Sequence, residues 1–279
     1  MKYVAASAIL FFGIAACSGP GGVNPSGGLM YSVPETPSVV YIAESNQDIA
    51  IDAGAMGSMN MAANSEAELA MAFTSGTNGV QVTTTFQKVS ASMSQPMGGA
   101  QTATESDIDG QLVFTMDKTG KGTLVSAPEV KGAAEQLISP ATFVYEFFPR
   151  LAGGAANPGD MWTDTIQYEI TMSQGELSSQ SILTYTLVGD TVVDGKTLLH
   201  VSYEGAAEAV GTGMTEGMEV IQSFSGDVVG MFLGDPARSR LVSGDSRQDL
   251  DGTVEVPGAG MPARPLTGTG SRPGYRQGG

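Results

Sequence analysis

Few side chains in this sequence have the type and spacing for covalent or metal chemistry, and each can be weighed by what that chemistry requires. His200 is the only histidine. It sits in Leu198-Leu199-His200-Val201-Ser202-Tyr203, an alternating strand pattern, and no Gly-x-Ser-x-Gly turn accompanies it, so a nucleophile within hydrogen-bond reach of a base is not assembled. Cys17 is the only cysteine, which removes disulfides and thiolate-rich metal sites together. One imidazole does not complete the nitrogen and sulfur set that zinc takes. Glu105, Asp107 and Asp109 before Gly110, and Asp245, Asp249 and Asp251 before Gly252, place carboxylates beside a glycine as calcium loops do. Neither run ends in the bidentate Glu of an EF-hand loop, so both read as turn chemistry. Met56-x-x-Met59-x-Met61 offers thioethers of the kind that suit Cu(I), but no histidine is near, and the methionines read as gap-filling core residues. The expectation is a protein without catalysis, metal or cofactor.

Cys17 has a setting of another kind. Lys2 supplies a short positive start, Val4 to Ile14 form an uncharged apolar run, and Ala15 and Ala16 precede the cysteine. The run is about half of the ~20 residues that span a bilayer, which predicts a cleaved signal peptide over residues 1–16 and not a permanent helix. Ile14-Ala15-Ala16-Cys17 resembles the lipobox of bacterial lipoproteins. That resemblance implies that Cys17 is lipidated and becomes the first residue of a chain anchored to a membrane through its N-terminal lipid. Several acyl chains would hold it far more durably than one. Ser18 after the cysteine implies, by the same resemblance, the outer membrane of the cell envelope.

Thirteen Lys and Arg stand against 29 Asp and Glu, a formal charge of −16, so nucleic acid is not an expected partner. Charged residues make up only 15% of the chain and glycines number 38. With the many alternating Thr, Ser and β-branched runs, this predicts an exported, mainly β protein stabilised by its core. Residues 17–37, rich in Gly, Pro and Ser, read as a flexible tether. Residues 38–256 read as a β-rich domain, with possible meander halves at 38–130 and 160–256 around a helical insert at 131–149. Residues 257–279, with Gly, Pro and Arg and no apolar period, read as a disordered tail.

Within the domain, Val39–Ile42 and Ile49–Ile51 suggest a hairpin, Glu66–Phe73 a strand, and Val80–Val89 a long half-buried strand with Val and Phe alternating against Thr and Gln. Asn78-Gly79 and Asp194-Gly195 are hairpin-turn pairs. A faint echo of Gly110-Gln111-Leu112-Val113 in Gly226-Asp227-Val228-Val229 hints at duplication. In the insert, Ala133, Ala134, Leu137 and Ile138 have helical spacing, and Ser139-Pro140 offers a helix start. Phe143, Tyr145, Phe147 and Phe148 follow, the most apolar patch beyond the signal peptide.

These features predict long antiparallel strands in a curved half-barrel or a sandwich, with the short helical insert over one face. The half-barrel form resembles lipoprotein-carrier and lipid-carrier lipoproteins. Two functions are compatible with it. In one, an envelope lipoprotein with a filled core has a structural role or meets an envelope protein. In the other, a carrier holds a lipid or other apolar ligand between sheet and helix, with Phe143, Tyr145, Phe147 and Phe148 as contacts.

Overall fold

The computed structural model describes residues 28–52, 58–77, 79–95, 99–172, 175–215, 218–236, 238–259 and 263–278. Cys17, the signal segment and most of the tether lie outside them. In chain order the strands are β1 (Ser38–Asp52), β2 (Ser58–Gly76), β3 (Gly79–Gln95), β4 (Gly99–Thr104), β5 (Ile108–Asp109), β6 (Leu112–Met116), β7 (Gly122–Ser126) and β8 (Glu129–Val130). A one-turn helix, α1 (Thr142–Glu146), precedes β9 (Met161–Met172), β10 (Gly175–Val193), β11 (Lys196–Thr215), β12 (Met218–Asp235), β13 (Arg240–Glu255) and β14 (Arg264–Gln277).

Twelve strands form one curved antiparallel sheet in the order β7-β6-β3-β2-β1-β14-β13-β12-β11-β10-β9, with β4 paired to the outer half of β3. The expected mainly β fold is therefore present as a single curved sheet, and the sandwich form is set aside. The free edges of this order are β7 and β9, and α1 packs against both, so the helix fills the seam where the sheet curls back on itself. Gly122 makes this approach possible, because a Cβ there would overlap the Val144 carbonyl of α1. Residues on either side lace the seam further. The Leu29 amide donates to Gly154 O at 2.7 Å, the Tyr31 amide to Lys118 O at 2.9 Å, and the Leu151 amide to Thr119 O at 2.8 Å.

The core lies on the inner face at one end of the strands, here called the closed end. Tyr41, Leu69, Met71, Val82, Leu112, Phe114, Leu183, Tyr185, Val201, Phe232 and Leu241 are buried there in the two-residue alternation of a strand with one covered face. Each such side chain contributes ~1.5–3 kcal/mol by leaving water. Closed-end turns are tight. Val193 pairs with Lys196, leaving Asp194 (φ 49°) and Gly195 (φ 73°) as a two-residue loop with both φ positive, the geometry for which Asp-Gly is suited.

Several expectations change. Residues 257–279 are not a disordered tail: β14 lies between β1 and β13 and joins the two meanders into one sheet. Its inward positions are Leu266, Gly268 and Gly270, so two glycines hide the apolar period that would have revealed a strand. The hairpin expected over 39–51 is the single strand β1, with Glu44–Asn46 a bulge against β14 and not a turn. Strands β12 (Met218–Asp235) and β13 (Arg240–Glu255) each run unbroken through small-residue stretches such as Ser225-Gly226 and Ser243-Gly244. The insert holds a 3-10 turn at Gly132–Gln136 and the five-residue α1 in place of a longer helix. The sequence echo is not structural duplication, since Leu112-Val113 begin the short, near-edge β6 while Val228-Val229 sit in the centre of β12.

Candidate ligand-binding site

The inner face is divided by α1. On the closed-end side, the four aromatic residues of the insert pack into the protein's own core. The Phe147 ring centroid lies 5.3 Å from Tyr41, 5.0 Å from Tyr275 and 5.0 Å from Phe148. Phe148 in turn meets Tyr31 edge-on at 5.5 Å, and Phe143 meets Phe86 at 6.0 Å. Edge-to-face pairs at these distances add to area burial. Tyr145 stacks on Tyr168 at 4.9 Å. Phe147 and Phe148 are buried and Phe143 and Tyr145 half-buried, so the space directly under residues 140–148 is filled.

Burial holds the phenols of this core neutral. It pushes Tyr31, Tyr41, Tyr185 and Tyr275 above the ordinary tyrosine range, because a phenolate here would be stripped of water. Tyr41 Oη donates to Leu241 O and Tyr31 Oη to Pro149 O, each at 3.0 Å.

Arg150, at the end of the aromatic segment, is the charge that secures this half. Its side chain is 3% exposed. Nε donates to Asp164 Oδ2 of β9 at 3.0 Å, Nη2 to Tyr145 O at 3.1 Å, and Nη1 to Gly120 O in the β6–β7 turn and to Phe148 O. Trp162 Nε1 donates to Arg150 O at 3.1 Å. One guanidinium thus joins the β6–β7 turn, α1 and the β9 edge across the seam. Beside it, burial would push the Asp117 carboxyl up, but the Thr119 hydroxyl and the Lys121 and Thr119 amides all donate to it and hold it below its usual range.

On the other side of α1 the inner face is not filled. A cavity of about 320 Å³ lies there, half open to solvent. Ile49 of β1, Leu177 of β10, Phe224 of β12 and Leu250 of β13 supply its apolar wall. Room is made by small residues: Ala207 and Ala209 on β11, Gly268 and Gly270 on β14. Gln47, Ser179 and Gln248 add polar groups, and the wall nearest the helix is Glu146, whose Oε1 accepts from Tyr168 Oη at 2.7 Å. A concave, mainly apolar wall with few polar groups, near the lower end of the usual ~300–1,000 Å³, is what a small-ligand site looks like. A groove of about 440 Å³ elsewhere on the sheet, lined by Asp48, Asn60, Ser94, Thr267 and Thr269 among others, is shallower and more polar and is a weaker candidate.

Phe143, Tyr145, Phe147 and Phe148 are thus beside the cavity and not among its lining residues. The lining that sequence reading missed is Ala, Gly and isolated Leu or Ile spread over five strands, whose only signal is inward register. The acidic runs are accounted for locally. Asp107 Oδ2 accepts from the Thr104 amide at 2.8 Å, Asp109 pairs with Lys131 at 3.0 Å, and Asp249 pairs with Arg247 at 3.0 Å. The second run lies within β13 and is not a turn. No group of three or more His, Cys, Asp or Glu is gathered for a metal among the described residues. His200 is half-buried on β11, opposite Leu233.

No family model matches this chain, and no curated protein matches it. Among solved structures, it is similar to the crystal structure of Pseudomonas aeruginosa OpdQ at 9% identity, over 85% of this chain and 98% of that one, with a TM-score of 0.18. A likeness of that size carries no argument about function.

Proposed function

We propose that the chain is a lipid-anchored protein of the bacterial cell envelope, held by Cys17 in the outer membrane, that binds a small apolar-bodied ligand without catalysis. The observation that carries the ligand reading is the cavity beyond α1, with its apolar wall and the small residues that keep it open. The anchor rests on the Ile14-Ala15-Ala16-Cys17 pattern. Chain geometry supports the pairing of the two. Gly28 to Tyr31 enter at the closed end, beside the turn that follows Asp235. At ~3.4 Å per residue, the segment from Cys17 to Gly28 reaches at most ~40 Å, while β11 alone is ~65 Å long. An anchor at Cys17 therefore holds the closed end toward the bilayer and turns the cavity's open side away from it. The filled aromatic core favours a second reading, in which the protein is an interaction lipoprotein and the cavity has no occupant.

Both parts are open to one set of measurements. Cys17→Ser is expected to leave an unprocessed precursor that no longer partitions into detergent. Native mass spectrometry of the chain extracted from its host membranes is expected to show a small added mass. Ala209→Trp, which places an indole in the cavity, should remove that mass while the melting temperature stays within a few degrees. Wild-type protein free of any added mass would rule out the ligand reading and leave the interaction lipoprotein.

A further inference from the structure

We propose that the tip of the β10–β11 hairpin is a second membrane contact, which lays Val192 and Val193 into the head-group layer of an anionic phospholipid bilayer. The contact rests on the Cys17 anchor of the proposed function and adds an orientation that an extended tether alone does not give. The tip projects beyond the body. Leu198 and Leu199 are buried, but Val192 to Thr197 are all exposed. Val192 pairs with Thr197 and Val193 with Lys196 before the Asp194-Gly195 turn, so at ~3.3 Å per residue the turn stands ~10 Å clear of Leu198. At 69%, Val192 is the most exposed large apolar side chain among the described residues. Valines scattered singly over a surface need no explanation; this pair is distinguished by where it stands.

The tether decides what faces this end. Gly28 to Tyr31 enter beside Leu199, at the base of the same hairpin, and the Tyr31 amide donates to Lys118 O of the β6–β7 turn. The segment from Cys17 to Gly28, at ~3.4 Å per residue, reaches at most ~40 Å, so a lipid on Cys17 would keep this end near the bilayer surface. Charge has the same polarity. The closed-end turns present exposed Lys118, Lys121 and Lys196, while Asp117 accepts from the hydroxyl and amides of its own turn and Asp235 is buried in a pair with Arg238. The strand ends on the open side carry exposed Asp52, Glu176, Glu219 and Glu255. Lysines are attracted to an anionic leaflet, and acids at the far end are repelled by it. Asp194 limits the depth. Its carboxylate and the Lys196 ammonium stay hydrated among the head groups, and the valines reach only the edge of the acyl layer, within the ~5–10 Å to which interfacial segments sink.

The test uses the lipidated chain extracted from its host membranes and reconstituted into vesicles of phosphatidylethanolamine and phosphatidylglycerol. Because lipid would occupy the Cys17 thiol, Val192→Cys can be labelled at that one position with a nitrobenzoxadiazole dye, whose emission brightens and shifts to the blue away from water. The dye at residue 192 should be severalfold brighter than the same dye at Met214→Cys, exposed at the open end. With the dye moved to Thr197→Cys, the brightening should persist and then be lost on adding V192D/V193D. Both valines are already exposed, so that double change should leave the melting temperature where it was. A chain that does not float with the vesicles would sink the Cys17 anchor and this contact with it. A chain that floats with residue 192 as wet as residue 214 would overturn the contact alone and leave the anchor standing. Brightening in native membranes but not in vesicles of pure lipid would assign the tip to a protein partner and overturn the proposal as well.

Discussion

At the closed end, strands meet through tight turns such as Asp194-Gly195, most inward side chains are large buried apolar groups, and the seam is crossed by Arg150. At the open end the same strands run on for several residues with Ala, Gly, Ser and Met on the inner face, few of them buried, and the connections are rich in Gly and Met. In β10, for example, Leu183, Tyr185 and Leu187 are buried, while Leu177 and Gly175 on the same face are only half-buried. The difference teaches that one end bears the stability and the other provides the space. Packing large side chains against α1 uses up the interior where it is done, and a cavity survives only where small residues replace them.

The largest effect expected from disturbing this division is at Arg150. Arg150→Met keeps the length of the buried stem but leaves Asp164 without its cation and several backbone carbonyls without a donor. Asp164 is 38% exposed and regains water, so the cost falls on the carbonyls of Gly120, Tyr145 and Phe148, ~1–3 kcal/mol for a buried acceptor left unsatisfied, and urea denaturation should show a loss of at least that order. The open-end changes Met59→Leu and Met93→Leu should each cost less than ~1.5 kcal/mol, as volume-conserving swaps do. Comparable losses at the two ends would mean that the stability is not concentrated where the large side chains are.

The same division explains how much was legible beforehand. Val80–Val89 reads as a strand because its inward Val80, Val82 and Phe86 are large and its outward neighbours polar, and it is one. Glu66–Phe73 reads as a strand because Leu69, Met71 and Phe73 alternate with alanines, and it is part of one; the Asp194-Gly195 turn is announced by its own chemistry. Strand continuations were missed wherever the inner face is small. Ser45 to Gln47, Ser225 to Gly226 and Thr267 to Gly270 have no large alternating residues, so they look like turns or tail, and it is their neighbours in the sheet that hold them extended. Gln47, Thr269 and the two glycines of the cavity lining, Gly268 and Gly270, come from those stretches, which is why they were not foreseen. The aromatic patch was visible as residues but not as packing: spacing reveals that Phe143 to Phe148 are apolar, not that Tyr31, Phe73, Phe86 and Phe114 would already meet them.

A second test concerns alkaline pH. The buried phenols of Tyr31, Tyr41, Tyr185 and Tyr275 titrate higher in the folded chain than the ~10 of an unfolded one. Their contribution to stability is thus complete below pH ~10 and lost as pH rises from there toward the folded values, because unfolding then releases protons. Absorbance at the phenolate band should rise in two stages, the first from accessible tyrosines and the second together with loss of β-sheet circular dichroism. Full ionisation in a single stage with the sheet intact would show that the closed end admits water.

The smallest effect expected is a gain. Thr84 on β3 is fully buried, directly across from Met71 of β2 on the inner face, and its Oγ1 has no hydrogen-bond partner. A valine there would have nearly the same shape, keep the β-branched preference for extended backbone, and replace an unpaired hydroxyl with a methyl in a dry, tightly packed surrounding. Because nothing donates to or accepts from Oγ1, the substitution strands no second group, which is the usual reason that removing a buried polar atom destabilises. Thr84→Val should therefore stabilise the chain by ~1 kcal/mol and raise the melting temperature by ~2–4 °C. The corresponding change at the open end, Ser179→Val on the cavity wall, should give a smaller gain, since the added methyl groups face a cavity and not packed side chains. If Thr84→Val instead lowers stability, its hydroxyl is held by an ordered water, and the closed end is less dry than its aromatic packing implies.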